Sequence, residues 1–251
     1  MLRNTFVHIQ GIGEKTEKRL WNSGIRTWDD FLARETMVFS PGRDRMIRDE
    51  LSESIAHIAD PGWFQKRLSS AHAWRLYGEY REKTAFLDIE TARDAEGLIE
   101  LTVVGVYGAG RMRQFVSGRN MEDFEAAIAD FDLLVTFNGT GFDVPVLKDW
   151  FRHLNLPPGH VDLRFALRRL GLSGGLKAIE KKMGIQRAPA IDGLTGLDAE
   201  TLWRAHLRGD PEALNLLLSY NAADSENLFP LMEHAFKELG RRCGFPVGAC
   251  V

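Results

Sequence analysis

The stretch Ala85-Phe86-Leu87-Asp88-Ile89-Glu90-Thr91 decides how the rest of the chain is read. Apolar and β-branched residues dominate it, which favours a strand, and strand side chains alternate between two faces. Asp88 and Glu90 are two apart, so both carboxylates point the same way, while Leu87 and Ile89 point the other way into a core. So apolar a strand rarely accepts a carboxylate, because desolvating a charge is costly unless something pairs with it. No Lys or Arg lies within the stretch to do so. An edge strand with two solvated acids is the plain alternative, and the unbroken apolar partners argue against it. The residues instead suggest a bound cation, since Mg²⁺ and Mn²⁺ take hard oxygen ligands.

Downstream, the turn Asp94-Ala95-Glu96-Gly97 and the runs Leu98–Tyr107 and Arg111–Val116, joined at Gly108–Gly110, predict an antiparallel meander. Asn120 is placed to cap a helix with Phe124, Ile128 and Phe131 on one face. Leu133–Phe137 reads as a buried fourth strand, followed at once by Asn138-Gly139 and Phe142-Asp143-Val144-Pro145. Pro145 suits the first turn of a helix, which puts Asp143 at or beside the N-cap. Capping alone would account for Asp143, but strand, turn, acid, helix is also where α/β proteins place site residues. A short strand is predicted around His160–Leu163, containing Asp162. Two basic helical segments follow, Arg164–Leu170 and Leu176–Met183, carrying Arg164, Arg168, Arg169, Lys177, Lys181 and Lys182. A solvated face is the default for such charges, a phosphate-contacting surface the rarer reading. The last long helix begins near Pro211 and reaches about Leu239. Tyr220 and Asp224 are four apart on it and share a face, and Pro230 predicts a kink or a break.

Upstream, residues 9–25 hold Gly11 and Gly13 around an apolar residue, then a helical pattern with Leu20 and Trp21 that ends at Gly24, a suitable C-cap. A second helix, from about Thr27 to Ala33, has Thr27 as N-cap. This pattern resembles the helix-hairpin-helix motif, in which a glycine-rich hairpin turns backbone N–H groups toward a nucleic-acid phosphate. Lys15 and Lys18 would add charge to such a contact, which reads phosphate and not base sequence. A hairpin used only for packing or protein contact is the alternative. A further helix is predicted over residues 43–58 before Asp60-Pro61-Gly62 breaks the chain. The expected organisation is therefore a small all-α part over residues 1–60, an aromatic-rich connecting segment over 61–83 packed on the core, an α/β domain over 84–240 and a tail over 241–251.

Composition constrains the rest. The 251 residues carry 32 Lys+Arg against 35 Asp+Glu. Residues 1–83 hold 14 basic and 12 acidic side chains, and the remainder 18 and 23, so the acids concentrate where metal ligands are expected and the surplus of base lies with the hairpin. Cys243 and Cys250 are too few for a disulfide framework and lack neighbouring ligands for a metal. No apolar run reaches transmembrane length and the N-terminus shows no signal-peptide pattern, so a cytoplasmic protein without a membrane partner is expected.

Taken together, Asp88, Glu90, Asp143, Tyr220 and Asp224 form a pattern that resembles the DEDD exonucleases, the DnaQ-like superfamily with a ribonuclease H-like fold. Phe-Leu-Asp-Ile-Glu-Thr is similar to its first motif, Asn-Gly-x-x-Phe-Asp to its second and Tyr-x-x-x-Asp to its third, in the tyrosine variant. The histidine variant needs His where Ser219 stands. Trp74-Arg75-Leu76-Tyr77, His160-Val161-Asp162-Leu163, Gly174-Gly175-Leu176-Lys177 and Tyr220–Asp224 further resemble YprB-like exonucleases, over about residues 72–235. The chain departs from the family in Thr91-Ala92-Arg93, where Thr-Gly-Leu is frequent; this touches a turn and not a ligand. The resemblance implies an α/β ribonuclease H-like mixed sheet, three antiparallel strands plus two parallel ones, flanked by helices. It also implies 3′–5′ hydrolysis of nucleic acid, DNA before RNA, with two divalent cations, Mg²⁺ or Mn²⁺. Asp88 would bridge them, Glu90 and Asp224 would complete the first site, and Asp143 would hold the second. Tyr220 would orient water or phosphate, and Asn138 is a candidate nucleic-acid contact beside Gly11, Gly13, Lys15 and Lys18. Asp162 fits an N-cap or supporting role better than metal ligation. An endonuclease of the same fold and a non-catalytic scaffold remain open.

Overall fold

The computed structural model describes residues 1–94 and 96–245. Strands β1 (Thr84–Arg93), β2 (Ile99–Gly108), β3 (Arg111–Val116), β4 (Leu133–Thr136) and β5 (Gly159–Asp162) form one sheet in the order β3-β2-β1-β4-β5. The first three strands pair antiparallel, and β4 and β5 continue parallel to β1. This is the α/β mixed sheet expected from the sequence. The predicted turn after β1 includes Ala95, which lies outside the described residues; beside it, Asp94 Oδ1 accepts the Glu96 and Leu98 N–H groups.

The helices are α1 (Glu14–Asn22), α2 (Trp28–Leu32), α3 (Pro41–Ala56), α4 (Pro61–Gln65), α5 (Tyr77–Tyr80), α6 (Phe124–Ile128), α7 (Asp143–Trp150), α8 (Leu163–Arg169), α9 (Leu176–Met183), α10 (Gly196–Leu207), α11 (Pro211–Glu226) and α12 (Leu228–Cys243). One breaks where Pro230 predicts and another starts otherwise than expected, each for a physical reason. The long C-terminal helix breaks at Asn227, because the Pro230 ring lacks an N–H and would collide with the carbonyl four residues back, at Glu226. Asn120 does not cap α6. Its amide instead accepts the Val116 N–H and donates to the Gln114 carbonyl, pinning the end of β3, and a 3₁₀ turn over Met121–Asp123 leads into the helix. Helix α10 falls in a stretch to which the sequence pattern assigns no element; Thr195 and Asp198 form its capping box.

At the N-terminus, Gly24 takes φ +87° after α1, and the Ile25 N–H reaches back to the Leu20 carbonyl, the left-handed termination that glycine permits. Thr27 and Asp30 cap α2 reciprocally. One apolar cluster then runs from Phe6 and Trp28 through Trp74 to Val135, Leu167 and Phe236, so residues 1–60 share a core with the sheet's β4–β5 side and with α12. Cys243 is a half-buried free thiol; Cys250 lies outside the described residues. Among the described residues no helix is long and apolar enough to cross a membrane.

Two local devices set up the acids. The register of β1 against β2 shifts between Glu90 and Thr91, a bulge that re-aims the strand just past the second carboxylate. Opposite Asp88 on β2 stands Gly105, where a Cβ would collide with Asn221 and Ser225 of α11. Its bare backbone lets α11 lie close against the sheet behind Asp88. Gly105→Ala should therefore push α11 away. The expected result is a stability loss of about 1–3 kcal/mol in denaturant melts, the usual cost of overpacking, with a fall in hydrolysis as Tyr220 and Asp224 shift. An unchanged melt would show that the approach is not tight.

Candidate active site

Three elements bring the predicted acids together. β1 supplies Asp88 and Glu90, the start of α7 supplies Asp143, and one face of α11 supplies Tyr220 and Asp224. All five line a single cavity of about 460 Å³, with Phe137, Asn138, Phe142, Leu197 and Glu200 among its other walls. Asp88, Glu90 and Asp224 each offer a carboxylate oxygen within 4.8 Å of the others. Asp143 lines the same cavity but is outside that group of three. It is the first residue of α7 and does not act as its side-chain cap.

The electrostatics of the metal-free protein are unfavourable to these charges. Withdrawal from water, then the negative charges of Asp224, Glu90 and Asp143, holds the Asp88 carboxyl well above the usual range, against the help of an Asn221 hydrogen bond. Glu90 is raised for the same reasons, burial first and then Asp224. Burial pushes Asp143 up to about 7, although its own N–H and that of Ile89 favour the charged form. Asp224 is raised by burial and drawn back down by Arg187. One oxygen of Glu90, Oε1, is buried without any hydrogen-bond partner. A cluster of hard carboxylate oxygens, mutually repelling and with one lone acceptor, suits a divalent cation. Asp88, Glu90 and Asp224 are the residues that would hold one.

Around the acids lies a set of polar supports that sequence reasoning missed. The Asn221 amide donates to the carbonyl and to Oδ2 of Asp88, at 3.2 and 3.3 Å. Gln114 of β3 donates in turn to Asn221 Oδ1 at 3.0 Å, which fixes the amide's orientation. Lys177 of α9 donates to the Tyr220 hydroxyl at 2.6 Å. Arg187 forks onto both oxygens of Glu180, 2.7 Å each, and also contacts Asp224. Asn221 could have been found from its spacing, since it follows Tyr220 on the helix face that packs the sheet. Arg187 sits in a loop without periodicity and carried no signal.

Asp162 resolves into support. Its carboxylate accepts the Arg164 N–H as the cap of α8 and the N–H groups of Asn138 and Thr140 at 2.8 and 3.1 Å. It thereby holds the turn after β4, in which Asn138 has φ +65° and accepts from Arg164. Asn138 lines both the acid cavity and a neighbouring one of about 740 Å³ that includes Phe137, Arg164, Arg168 and the glycines at 171, 174 and 175. Gly11 and Gly13 lie elsewhere, on an exposed hairpin with Arg67 beside it and Arg43 donating to the Gly11 carbonyl at 2.7 Å. Gly11 needs its φ of +77°, whereas Gly13 is the extended N-cap of α1 with nothing within 4 Å of where a Cβ would stand. Lys15 and Lys18 are exposed on the first turns of that helix.

A carboxylate cluster built on the central strand of a mixed sheet of this order defines an α/β protein with a group of acids that could hold a metal ion. The family model of the RNase H superfamily matches residues 85–236, more than half of the chain, and the protein belongs to that superfamily. No curated protein matches it. Among solved structures, it is similar to the family B DNA polymerase from the hyperthermophilic archaeon Pyrobaculum calidifontis, at 17% identity and a TM-score of 0.46, over 66% of this chain and 28% of the polymerase. It is also similar to the Aedes aegypti Nibbler EXO domain, at 13% identity and a TM-score of 0.39, over 68% of this chain and 85% of that one.

Proposed function

We propose that the protein is a metal-dependent nuclease, a 3′–5′ exonuclease of the DEDD tyrosine type acting on DNA in preference to RNA. The observation that carries this reading is the convergence of Asp88, Glu90 and Asp224 on one another, in a cavity that also holds Asp143 and Tyr220. Two divalent cations, when bound, would supply the activated water and the neutralisation of the leaving oxygen. Asp88, Glu90 and Asp224 would hold the first, and Asp143 would serve the second. Tyr220 is no base, because burial and then the charges of Asp224, Glu90 and Asp88 push its hydroxyl above its ordinary value. Its oxygen accepts from Lys177, and its own hydrogen, directed at Asp224 in the metal-free protein, would be available to a phosphate oxygen or to water once a cation engages Asp224. The basic, glycine-lined cavity that shares Phe137 and Asn138 with the acids supports a strand leaving the site over Arg164 and Arg168.

The test is digestion of end-labelled oligonucleotides with Mg²⁺ or Mn²⁺, on DNA and RNA, linear and circular. A ladder shortening from the 3′ end of linear DNA is expected. Cutting of circles would make it an endonuclease, and no metal-dependent cutting would leave a nucleic-acid-binding scaffold. In the same assay Tyr220→Phe should lower turnover without weakening Mn²⁺ binding, and unchanged turnover would reduce Tyr220 to packing.

The N-terminal hairpin is proposed to hold the nucleic-acid backbone through the Gly11–Gly13 amides with Lys15 and Lys18. Gly13→Leu, at an extended position where a Cβ meets nothing within 4 Å, should weaken binding to long DNA. It should leave single-turnover cleavage of a short oligonucleotide unchanged. Lys15→Gln with Lys18→Gln should flatten the salt dependence, by about 0.9 in log–log slope for each duplex phosphate the protein ceases to neutralise. Equal slopes would make the hairpin a packing element.

A further inference from the structure

Arg187 is an unexpected cation at the acid cluster. Its side chain is 3% exposed, and Glu180, at 2%, is as deeply buried. The guanidinium's Nε and Nη2 bind the two Glu180 oxygens, and Nη2 also lies on Asp224 Oδ1. Asn227, at the junction of α11 and α12, donates to Glu180 Oε1 at 3.0 Å, so the carboxylate is held from a second side. The remaining nitrogen, Nη1, is buried with no partner. Asp224 is one of the three acids whose oxygens converge. A divalent cation there must share Asp224 with a positive charge already in contact with it, and like charges in a poorly hydrated pocket repel strongly. Glu180 opposes this, because it draws the same guanidinium toward α9 and cancels its charge.

We propose that the buried Glu180–Arg187 pair sets the divalent-cation affinity of the acid cluster: Arg187 competes with the cation for Asp224, and Glu180 restrains Arg187 from winning. Arg187 is thus a positioning residue, acting through Asp224. The inference rests on the metal site proposed above. It concerns how tightly that site binds, not which bond is cut.

The sign of the response separates this role from that of a structural brace. Mn²⁺ alone is titrated into the full chain at fixed pH and ionic strength, with binding read by calorimetry and by the rise in melting temperature. Arg187→Gln removes the competitor and should bind Mn²⁺ at least about tenfold more tightly. Glu180→Gln frees Arg187 for Asp224 and should bind about tenfold more weakly. The double variant removes the competitor together with its restraint, leaves neither buried charge unpaired, and should stay tighter than the wild type, within about threefold of Arg187→Gln, because Glu180 acts only through Arg187. Arg187→Lys keeps the charge and should not gain affinity. If the pair only braces the fold, all substitutions weaken binding or none changes it, and either pattern overturns the proposal. Asp88→Asn is the control. If wild type binds Mn²⁺ and Asp88→Asn does not, while Arg187→Gln binds as wild type does, this inference falls and the metal site stands. If wild type binds no Mn²⁺, the metal site falls and takes the inference with it.

Discussion

Asp88→Asn will abolish metal-dependent hydrolysis and, in the same variant, make the metal-free protein more stable at neutral pH. The two effects have one cause. Asp88 is the acid whose neighbours Asp224, Glu90 and Asp143 all oppose its charge. Losing it removes a ligand, and an activity that depends on charge neutralisation by a cation should fall by at least about a thousandfold, several kcal/mol of barrier. Losing it also removes the repulsion. The direction with pH follows from the raised values. A carboxyl whose folded-state value lies above its unfolded one binds more protons folded than unfolded. Its contribution to stability is therefore present below the unfolded value and is lost as pH rises through the folded one. For Asp143 that window runs from about 4, the ordinary aspartate value, to about 7. The metal-free wild type should thus melt at progressively lower temperature from pH 4 to pH 8, and saturating Mg²⁺ or Mn²⁺ should restore the loss. Asp88→Asn should flatten that pH profile and respond little to the ions. Asn retains an oxygen for the Asn221 amide, so the site keeps its shape. Wild-type turnover in this variant, or a metal-free melt that rises with pH, would contradict the assignment.

The parts of this site that could be read from the sequence are those fixed by a local period. Asp88 and Glu90 share a face because strands alternate, and Tyr220 and Asp224 because helices repeat every three to four residues. Pro230 marked a discontinuity by its missing donor, and the helix ends at the residue whose carbonyl it would strike. Asp143 was placed correctly at the head of its helix, as its first residue and not as its N-cap. What local period cannot show is a contact among three separate elements. Arg187 meets Glu180 of α9 and Asp224 of α11 only because the loop after α9 turns back on itself. Nothing in the spacing of those residues distinguishes a buried arginine from a solvated one. The Gln114–Asn221–Asp88 chain is of the same kind, for it crosses from β3 over the bare Gly105 to β1 and needs the sheet order to be known. The aromatic stretch after Pro61 pointed to packing across the break at Asp60-Pro61-Gly62, but that residues 1–60 share one continuous core with β4, β5 and α12 needs the tertiary contacts.

That shared core is held by a buried ion pair, and breaking it should give the largest stability loss in the molecule. Arg75 is fully buried and Glu17 1% exposed, and they meet in two parallel bonds of 2.8 Å. Glu17 Oε1 also accepts the Phe6 and Val7 N–H groups at 2.7 and 3.2 Å, so this carboxylate organises the chain ahead of the hairpin as well as the arginine. Removing one partner leaves a charge stranded in an apolar surrounding of Trp74 and Phe245, at an expected cost of about 3–5 kcal/mol. The two single changes should not be equal. Arg75→Met leaves Glu17 with its two backbone donors, whereas Glu17→Met strands both the arginine and those N–H groups, and should be the worse. Changing both should cost less than Glu17→Met alone. Denaturant unfolding at one pH measures all three, with hydrolysis assayed well below each midpoint. Activity per folded molecule should hold, because neither residue lines the acid cavity. Losses under about 1 kcal/mol, small beside the usual cost of breaking a buried pair, would show that the pair is dispensable. The same pair decides how the hairpin can be studied. Cutting the chain at residue 60 removes Glu17 and leaves Arg75 unpaired, so a truncated protein would report lost stability before lost binding, and Gly13→Leu in the intact chain avoids that confusion.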